Sequence, residues 1–332
     1  MTKGRVLVTG GAGFIGSHIV DELLAQGYDT YVVDNLSTGR RDNLPPAVPL
    51  YEVDIRDGDR LATVFSEVQP RFVCHQAAQV SVSRSVREPL FDADQNISGW
   101  LRVLEECVRL GVERVVFASS GGALYGDVFE AVDESHPVRP ISPYGISKWV
   151  GEEYLRFYAR EHGIKGIALR YANVYGPRQN PDGEAGVVAI FAHRMLMGEP
   201  VTIYGDGRNV RDYVFVGDVA DANVLALEAP LGEQYTAINV STGSGVDVNA
   251  LEARIRALAQ EARTQTVVGG PIPPPRYAGK RAGDLRSSLL SPGRARLSLG
   301  WNPRVDLEQG LRATVDRSVE DIAPRLNRLA AG

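Results

Sequence analysis

A chain of 332 residues with 44% hydrophobic and 23% charged side chains is long enough to bury a sizeable core and to carry two structural lobes. Its formal net charge of -5, without a long basic block, argues against a nucleic-acid partner, and no run of about 18 apolar residues is present to span a bilayer. The two cysteines, Cys74 and Cys107, lie inside apolar patterns without metal-ligand spacing, and the N-terminal residues show no signal-peptide pattern, so a reducing, cytoplasmic setting is expected.

Val6-Leu7-Val8-Thr9 reads as the first strand, followed by Gly10-Gly11-Ala12-Gly13-Phe14-Ile15-Gly16 and a helical pattern to Gln26. Glycines at 10, 13 and 16 allow a tight positive-φ turn, close approach of backbone to a pyrophosphate, and close helix packing. A lone glycine trio is weak evidence; here it opens the first strand-to-helix unit, the context that the motif requires. Thr30 to Val33 forms the next strand and ends at Asp34, where a carboxylate can accept both ribose hydroxyls of an adenosine and would repel a 2′-phosphate. NAD is therefore favoured over NADP, although Arg40 and Arg41 follow closely enough to leave the second reading open.

Val48 to Val53 is expected as a strand, with Asp54 and Ile55 at its end placed against an adenine edge, then a helix over Arg60 to Val68. The strand Phe72 to His75 ends in Gln76-Ala77-Ala78, where small residues leave room for a cofactor. A helix from Asn96 to Leu110, a strand from Val115 to Ala118, a helix from Pro143 to His162 and a strand from Gly166 to Arg170 complete an alternation that predicts an α/β fold, a parallel sheet covered on both faces. After Tyr171 the rhythm loosens, with Gly and Pro clusters at Tyr175 to Gly186 and Gly269 to Gly279. We therefore expect a cofactor-binding domain over residues 1–172 and a smaller mixed α/β substrate lobe over 173–332, with an interleaved boundary. Val214 to Val216 and Ala237 to Val240 are expected to rejoin the main sheet, so that a segment of about 212–241 returns to the first domain.

Tyr144 and Lys148 stand four apart at the head of the helix that Ser142 and Pro143 announce, and so share one face. An ammonium beside a phenol favours phenolate and brings it toward use as a base at neutral pH. Such a pair is common on ordinary helices; its meaning comes from company. The strand before it runs into Ser119 and Ser120, hydroxyls that can meet a substrate at a strand end, followed by Gly121-Gly122-Ala123-Leu124-Tyr125-Gly126.

With the glycine turn, Asp34, the strand-end serines, Tyr144 and Lys148 in this order, the chain resembles the extended short-chain dehydrogenase/reductase family, and within it the nucleotide-sugar epimerases of the UDP-glucose 4-epimerase type. The likeness runs from Gly10 to Gly300-Trp301-Asn302-Pro303. It implies a Rossmann-type doubly wound sheet, tightly held NAD, a UDP-hexose substrate, reversible C4 epimerisation and a homodimer. It also implies roles for residues. Tyr144 would be the base, Lys148 would bind the nicotinamide ribose and lower the Tyr144 pKa, and Ser120 would hydrogen-bond the substrate hydroxyl. Ser119 is a rival because Gly121-Gly122 makes this loop one residue longer than in many relatives; counting from the strand favours Ser120. The cofactor would further touch Gly10, Gly13, Phe14, Ile15, Gly16, Asp34, Asn35, Asp54, Ile55, Gln76, Ala77, Ala78, Asn96 and Ser119. Val80 stands where some epimerases place a lysine, which puts that contact in doubt.

On the substrate side, Arg211, Arg281 and Asn173 would hold the diphosphate, Thr202 and Tyr204 the uracil edge, Asp284 the ribose hydroxyls, and Val187 would line the same site. Ser288 stands where a large aromatic is thought to restrict the sugar 2-substituent, so a serine implies room for an N-acetyl group. Related dehydratases carry an Asp-Glu pair where this chain has Gly121 and Gly122, and related decarboxylases a glutamate in the same loop. Elimination would lack its acid and base. The rivals are another nucleotide-sugar oxidoreductase or dehydratase, and, from a different class, a catalytically idle NAD-bound sensor. No metal is required: His18, His75, His136, His162 and His193 are scattered without ligand spacing.

Overall fold

The computed structural model describes residues 2–183, 186–265, 270–281 and 284–330. Strands and helices alternate as β1 (Arg5–Thr9), α1 (Phe14–Ala25), β2 (Asp29–Asp34), β3 (Leu50–Glu52), α2 (Gly58–Val68), β4 (Phe72–His75), α3 (Val82–Arg87), α4 (Pro89–Ala93), α5 (Gly99–Leu110), β5 (Arg114–Ser120), α6 (Gly121–Leu124), α7 (Pro143–His162) and β6 (Lys165–Tyr171). A single π turn, Asp94–Ser98, joins α4 to α5. The chain continues through β7 (Asn173–Tyr175), α8 (Val187–Leu196), β8 (Thr202–Tyr204), β9 (Val210–Phe215), α9 (Val216–Glu228) and β10 (Tyr235–Val240). It ends with β11 (Gly245–Asp247), α10 (Val248–Gln265), β12 (Arg276–Ala278), β13 (Ser287–Ser288), α11 (Gly293–Leu299) and α12 (Leu307–Ala330).

Among the described residues, seven strands form one sheet in the order β10-β6-β5-β4-β1-β2-β3, parallel throughout. This is the doubly wound arrangement, and its order reverses between β1 and β4, where a crevice opens at the strand C-termini. Alternate residues of each strand feed opposite faces: Val6 and Val8 pack with Ile19, Val20 and α9, whereas Leu7 packs with Phe65, Trp100 and Leu104. β3 is shorter than expected because Pro49 removes a ladder donor just before this edge strand.

The Ala237 to Val240 segment rejoins the main sheet, since β10 pairs with β6. Val214 to Val216 does not. β9 instead centres a separate small sheet with β7, β11 and β13, and Val216 already begins α9. The chain turns back to the main sheet at α9, which packs on α1. β8 and β12 form a two-stranded pair, and α8, α10 and α12 enclose a separate core around Phe191, Met195, Ile255 and Leu311.

As the outer strand, β10 has backbone groups that need partners. Side chains supply them: Asn239 N donates to Glu134 Oε1 at 2.7 Å, Arg294 Nη1 donates to Ala237 O at 3.0 Å, and Arg294 Nε pairs with Glu134 Oε2 at 3.4 Å. On the other face of the sheet Trp100 is wholly buried, its ring 4.3 Å from His75 and 4.9 Å from Phe117, with Nε1 donating to Gly151 O at 3.1 Å. Gly151 is required there, because a Cβ would stand 2.6 Å from Phe117. Trp100→Ala is expected to destabilise the fold by about 3–5 kcal/mol, measured as the loss in unfolding free energy in a urea titration.

Candidate active site

The glycine turn fits a dinucleotide cradle because side chains are sterically excluded from it. Gly10 adopts φ +69°, a Cβ there would lie 2.5 Å from Ala77 N, and a Cβ on Gly16 would lie 2.2 Å from Gly10 O. Gly13 is the N-cap of α1, whose first residues are Phe14 and Ile15, so the helix N-terminus opens onto the crevice. Asp34 ends β2 with its carboxylate fixed by two amides, Ala12 N at 3.0 Å and Leu36 N at 2.8 Å. Burial pushes its pKa up while those amides pull it down. Gly39 closes on the same carboxylate, so that a Cβ would sit 2.9 Å from both oxygens. Arg40 faces Asp42, and Arg41 donates to Pro46 O at 2.7 Å. Arg41 is thus engaged with the loop that follows, while Arg40 stays at the exposed surface beside Asp42.

Asp54 stands two residues beyond the end of β3 rather than at its end. Arg56 grips both its oxygens, Asn35 Nδ2 donates to Oδ2 at 2.9 Å, and the pair holds the carboxyl down to about 2. Ile55 is buried against Gly99. Gln76 is turned beneath the crevice, donating to Tyr171 Oη and Asn223 Oδ1 at 3.2 Å each, while Ala77 and Ala78 line the turn above. Val80 is more than half exposed.

At the end of β5 the two serines part. Ser119 Oγ donates to Glu152 Oε1 at 2.5 Å, inside the protein, whereas Ser120 acts on the Tyr144 phenol and opposes the rise of its pKa. The side chain facing the phenol is therefore that of Ser120. Helix α7 begins where Ser142 Oγ accepts from Gly145 N at 3.2 Å, with Pro143 at the first helical position. Tyr144, Lys148 and Glu152 then stack along one face. Lys148 Nζ donates to Ala118 O at 2.8 Å and lies 5.8 Å from the Tyr144 ring centroid. Burial pushes the phenol up to about 12, with the Asp92 charge adding to the rise and Ser120 opposing it. Burial likewise pushes Lys148 down to about 8, against the pull of Asp92 and Glu152.

In the second lobe, Arg211 Nη2 donates to Asp284 Oδ1 at 2.6 Å and Leu285 O at 2.7 Å, and Asn209 Nδ2 donates to Asp284 Oδ2 at 2.8 Å. The Arg281 guanidinium lies 3.7 Å from the centre of the Tyr204 ring, at the exposed edge of β8, where Thr202 is half-buried. Asn173 Nδ2 donates to Asp212 O at 3.3 Å, and Val187 is the first residue of α8. Ser288, buried on β13 beside Arg211 of β9, meets the serine loop: a Cβ on Gly122 would lie 3.8 Å from Ser288 Oγ and 4.0 Å from Asn173 Nδ2.

Sequence reading missed the residues that support this set. Glu152 accepts a two-point grip from Arg170 (Nη2 to Oε2 at 2.7 Å, Nε to Oε1 at 2.9 Å) and a bond from Tyr235 Oη at 3.0 Å. Its signal was available, since 152 continues the 144 and 148 spacing. Asp92, wholly buried, accepts from Gln79 Nε2 at 2.8 Å, Asn96 Nδ2 at 3.0 Å and Ser147 Oγ at 2.6 Å. Asn96 itself is held in the π turn by Gln79, accepting from its amide at 2.9 Å and donating to its carbonyl at 3.0 Å.

The model of the NAD dependent epimerase/dehydratase family matches residues 6–241. A UDP-glucose 4-epimerase of Mycolicibacterium smegmatis is 44% identical over 318 residues, 94% of this chain and 97% of its own length. The crystal structure of a UDP-glucose 4-epimerase from Thermotoga maritima with UDP-glucose superposes at a TM-score of 0.90 with 48% identity, covering 96% of this chain and 99% of that one. A Thermus thermophilus UDP-glucose 4-epimerase complexed with NAD gives 0.86 with 48% identity, covering 95% and 98%. Because a Cβ on Gly16 must displace backbone rather than a side chain, Gly16→Ala is expected to weaken NAD binding by about tenfold or more, measured by calorimetry.

Proposed function

The chain belongs to the NAD dependent epimerase/dehydratase family, and from that premise we propose that it interconverts UDP-hexoses at C4, UDP-glucose with UDP-galactose. The observation that carries this reading is Lys148 Nζ, bonded to Ala118 O of β5 at 2.8 Å and 5.8 Å from the centre of the Tyr144 ring one turn away on α7, with Ser120 at the end of the same strand. Gly10, Gly13, Gly16 and Asp34 would hold NAD, which when bound supplies the acceptor and donor of hydride for C4. As phenolate, Tyr144 Oη takes the proton of the 4-hydroxyl and becomes the phenol, with Ser120 orienting that oxygen, and later returns the proton. Between the two transfers the 4-keto sugar turns its other face by rotation about the diphosphate.

Such a cycle needs a fixed nucleotide and a mobile hexose. Arg211, Arg281 and Asn173 are assigned to the diphosphate, Asp284 to the uridine ribose, and Thr202, Tyr204 and Val187 to the surroundings of the base. The stacking of Arg281 on Tyr204 and the clamp of Asp284 by Arg211 and Asn209 support this, since they preorder a cationic fork beside an acceptor. The small set Gly122, Ser288 and Asn173 supports admission of UDP-N-acetylhexosamines as well. Gly121 and Gly122 offer no acid or base for water elimination, which weighs against a dehydratase.

A cytoplasmic homodimer paired through α5 and α7 completes the proposal. Ile146, Tyr154 and Phe157, exposed on α7, support it, as do two free, buried thiols. Among the described residues no helix is long and apolar enough to cross a membrane.

Purified protein given UDP-sugars without added cofactor should interconvert the C4 epimers, resolved by NMR; a reduced cofactor that accumulates, or a dehydrated product, would replace this reading with an oxidoreductase or a dehydratase. Tyr144→Phe should lower kcat by about 10²–10⁴-fold, and full activity in that variant removes Tyr144 as the base. Ser288→Tyr should abolish turnover of UDP-N-acetylglucosamine while retaining UDP-glucose, as compared by kcat/KM for the two substrates.

A further inference from the structure

Four buried charges stand behind the phenol: Asp92, Lys148, Glu152 and Arg170. Glu152 and Arg170 satisfy one another in a two-point ion pair. That leaves an aspartate and a lysine. Lys148 spends its near contact on the neutral carbonyl of Ala118. Asp92 takes hydrogen bonds from three neutral side chains, Gln79, Asn96 and Ser147, and among the described residues no ion pair within 4 Å reaches it. A wholly buried carboxylate without a cation is costly unless its charge is balanced nearby. Ser147 directly precedes Lys148, and its hydroxyl is the strut that brings Asp92 onto the helix.

We propose that Asp92 is a positioning residue: the counter-charge, acting through space, that keeps Lys148 an ammonium in its buried seat and fixes the catalytic helix to the π turn and the Gln79 loop. Other groups facing this pair are accounted for. From α7 come Tyr144 and Glu152, the latter committed to Arg170 of β6. From β4 comes His75, held neutral by burial and by the ammonium. The π turn carries Asp94, paired with Arg56, and beside it Arg84 pairs with Glu88 while Arg87 ends α3.

The sign of the effect follows. Removing the Asp92 charge makes a buried ammonium less favourable, so the Lys148 pKa falls; it also makes a phenolate more favourable, so the Tyr144 pKa falls. Both limbs of the pH profile move to acid. Asp92→Asn suits the test because an amide preserves the contacts: its oxygen still accepts from Gln79 and Asn96, and its nitrogen donates to Ser147 Oγ, whose hydroxyl rotates.

This inference rests on the proposed function only for its activity arm. With UDP-glucose, D92N should shift both limbs of the kcat/KM profile to acid by about one pH unit or more. An unmoved profile with a reduced kcat would mean a merely structural residue and overturns the proposal. The second arm needs no substrate. Thermal unfolding of wild type, D92N, Lys148→Met and the double variant should show D92N lowering Tm beside the lysine and raising it beside methionine, where the carboxylate has lost its partner. Equal effects in the two backgrounds overturn the proposal. Should D92N fail to fold alone, folding of the double variant gives the same opposite-signed result, and failure of both overturns it. If no UDP-sugar is turned over, the proposed function falls and the Tm cycle still decides the role of Asp92.

Discussion

The ion pair between Glu152 and Arg170 is the fixed point to which the candidate active site is referred. It joins the middle of α7 to β6, draws in Ser119 from the end of β5, and takes the hydroxyl of Tyr235 from β10. Arg170 also reaches Tyr125 Oη at 2.7 Å, and Tyr125 in turn donates to Asn239. Three neighbouring strands and the helix above them thus share one buried polar cluster. A cluster of this kind is stabilising only when complete, because breaking one member leaves an uncompensated charge in a low-dielectric setting. With Ser119 held by Glu152 in the middle of α7, Ser120 at the end of β5 is left for the head of the same helix, where Tyr144 stands.

The two buried pairs divide the work. One is close and geometric, and sets where α7 lies along the sheet. The other, Asp92 with Lys148, is distant and electrostatic, and bears on which protonation states the site holds. The same seclusion that makes the phenol a poor acid at rest makes any neighbouring charge effective, since little water screens it. Bound substrate and cofactor would enter a setting already rigid at the strand ends and exposed at the Tyr204 and Arg281 rim.

Much of this was legible in the sequence, for physical reasons. The glycine turn was readable because three glycines at fixed spacing answer a steric demand, and the contacts a Cβ would make at Gly10 and Gly16 show that demand. The limits of α7 were readable from Ser142, Pro143 and the Gly163 that follows, a cap at each end. Less visible was anything that depends on tertiary partners. Asp54 looked like a free strand-end acid, but Arg56 two residues on had claimed it. Counting from the strand favoured Ser120 over Ser119, and the structure parts them where Glu152 takes Ser119. Asp92 gave no pattern because its three donors come from three different segments. Val214 to Val216 carried the apolar character of a strand, but β9 pairs with β7, β11 and β13 and not with the main sheet.

The return of α9 and β10 to the first domain has a consequence for synthesis. A nascent chain that has emerged as far as β6 holds six strands of the main sheet, yet Ile167 and Leu169 still lack the cover that Val219, Leu227 and Ile238 give them in the finished core. The open edge of β6 and that apolar face must wait while part of the second lobe is translated. The two lobes cannot mature one after the other as beads on a string. Completion of the first depends on a segment arriving after the second has begun, and that interval is when the chain is most open to wrong strand partners.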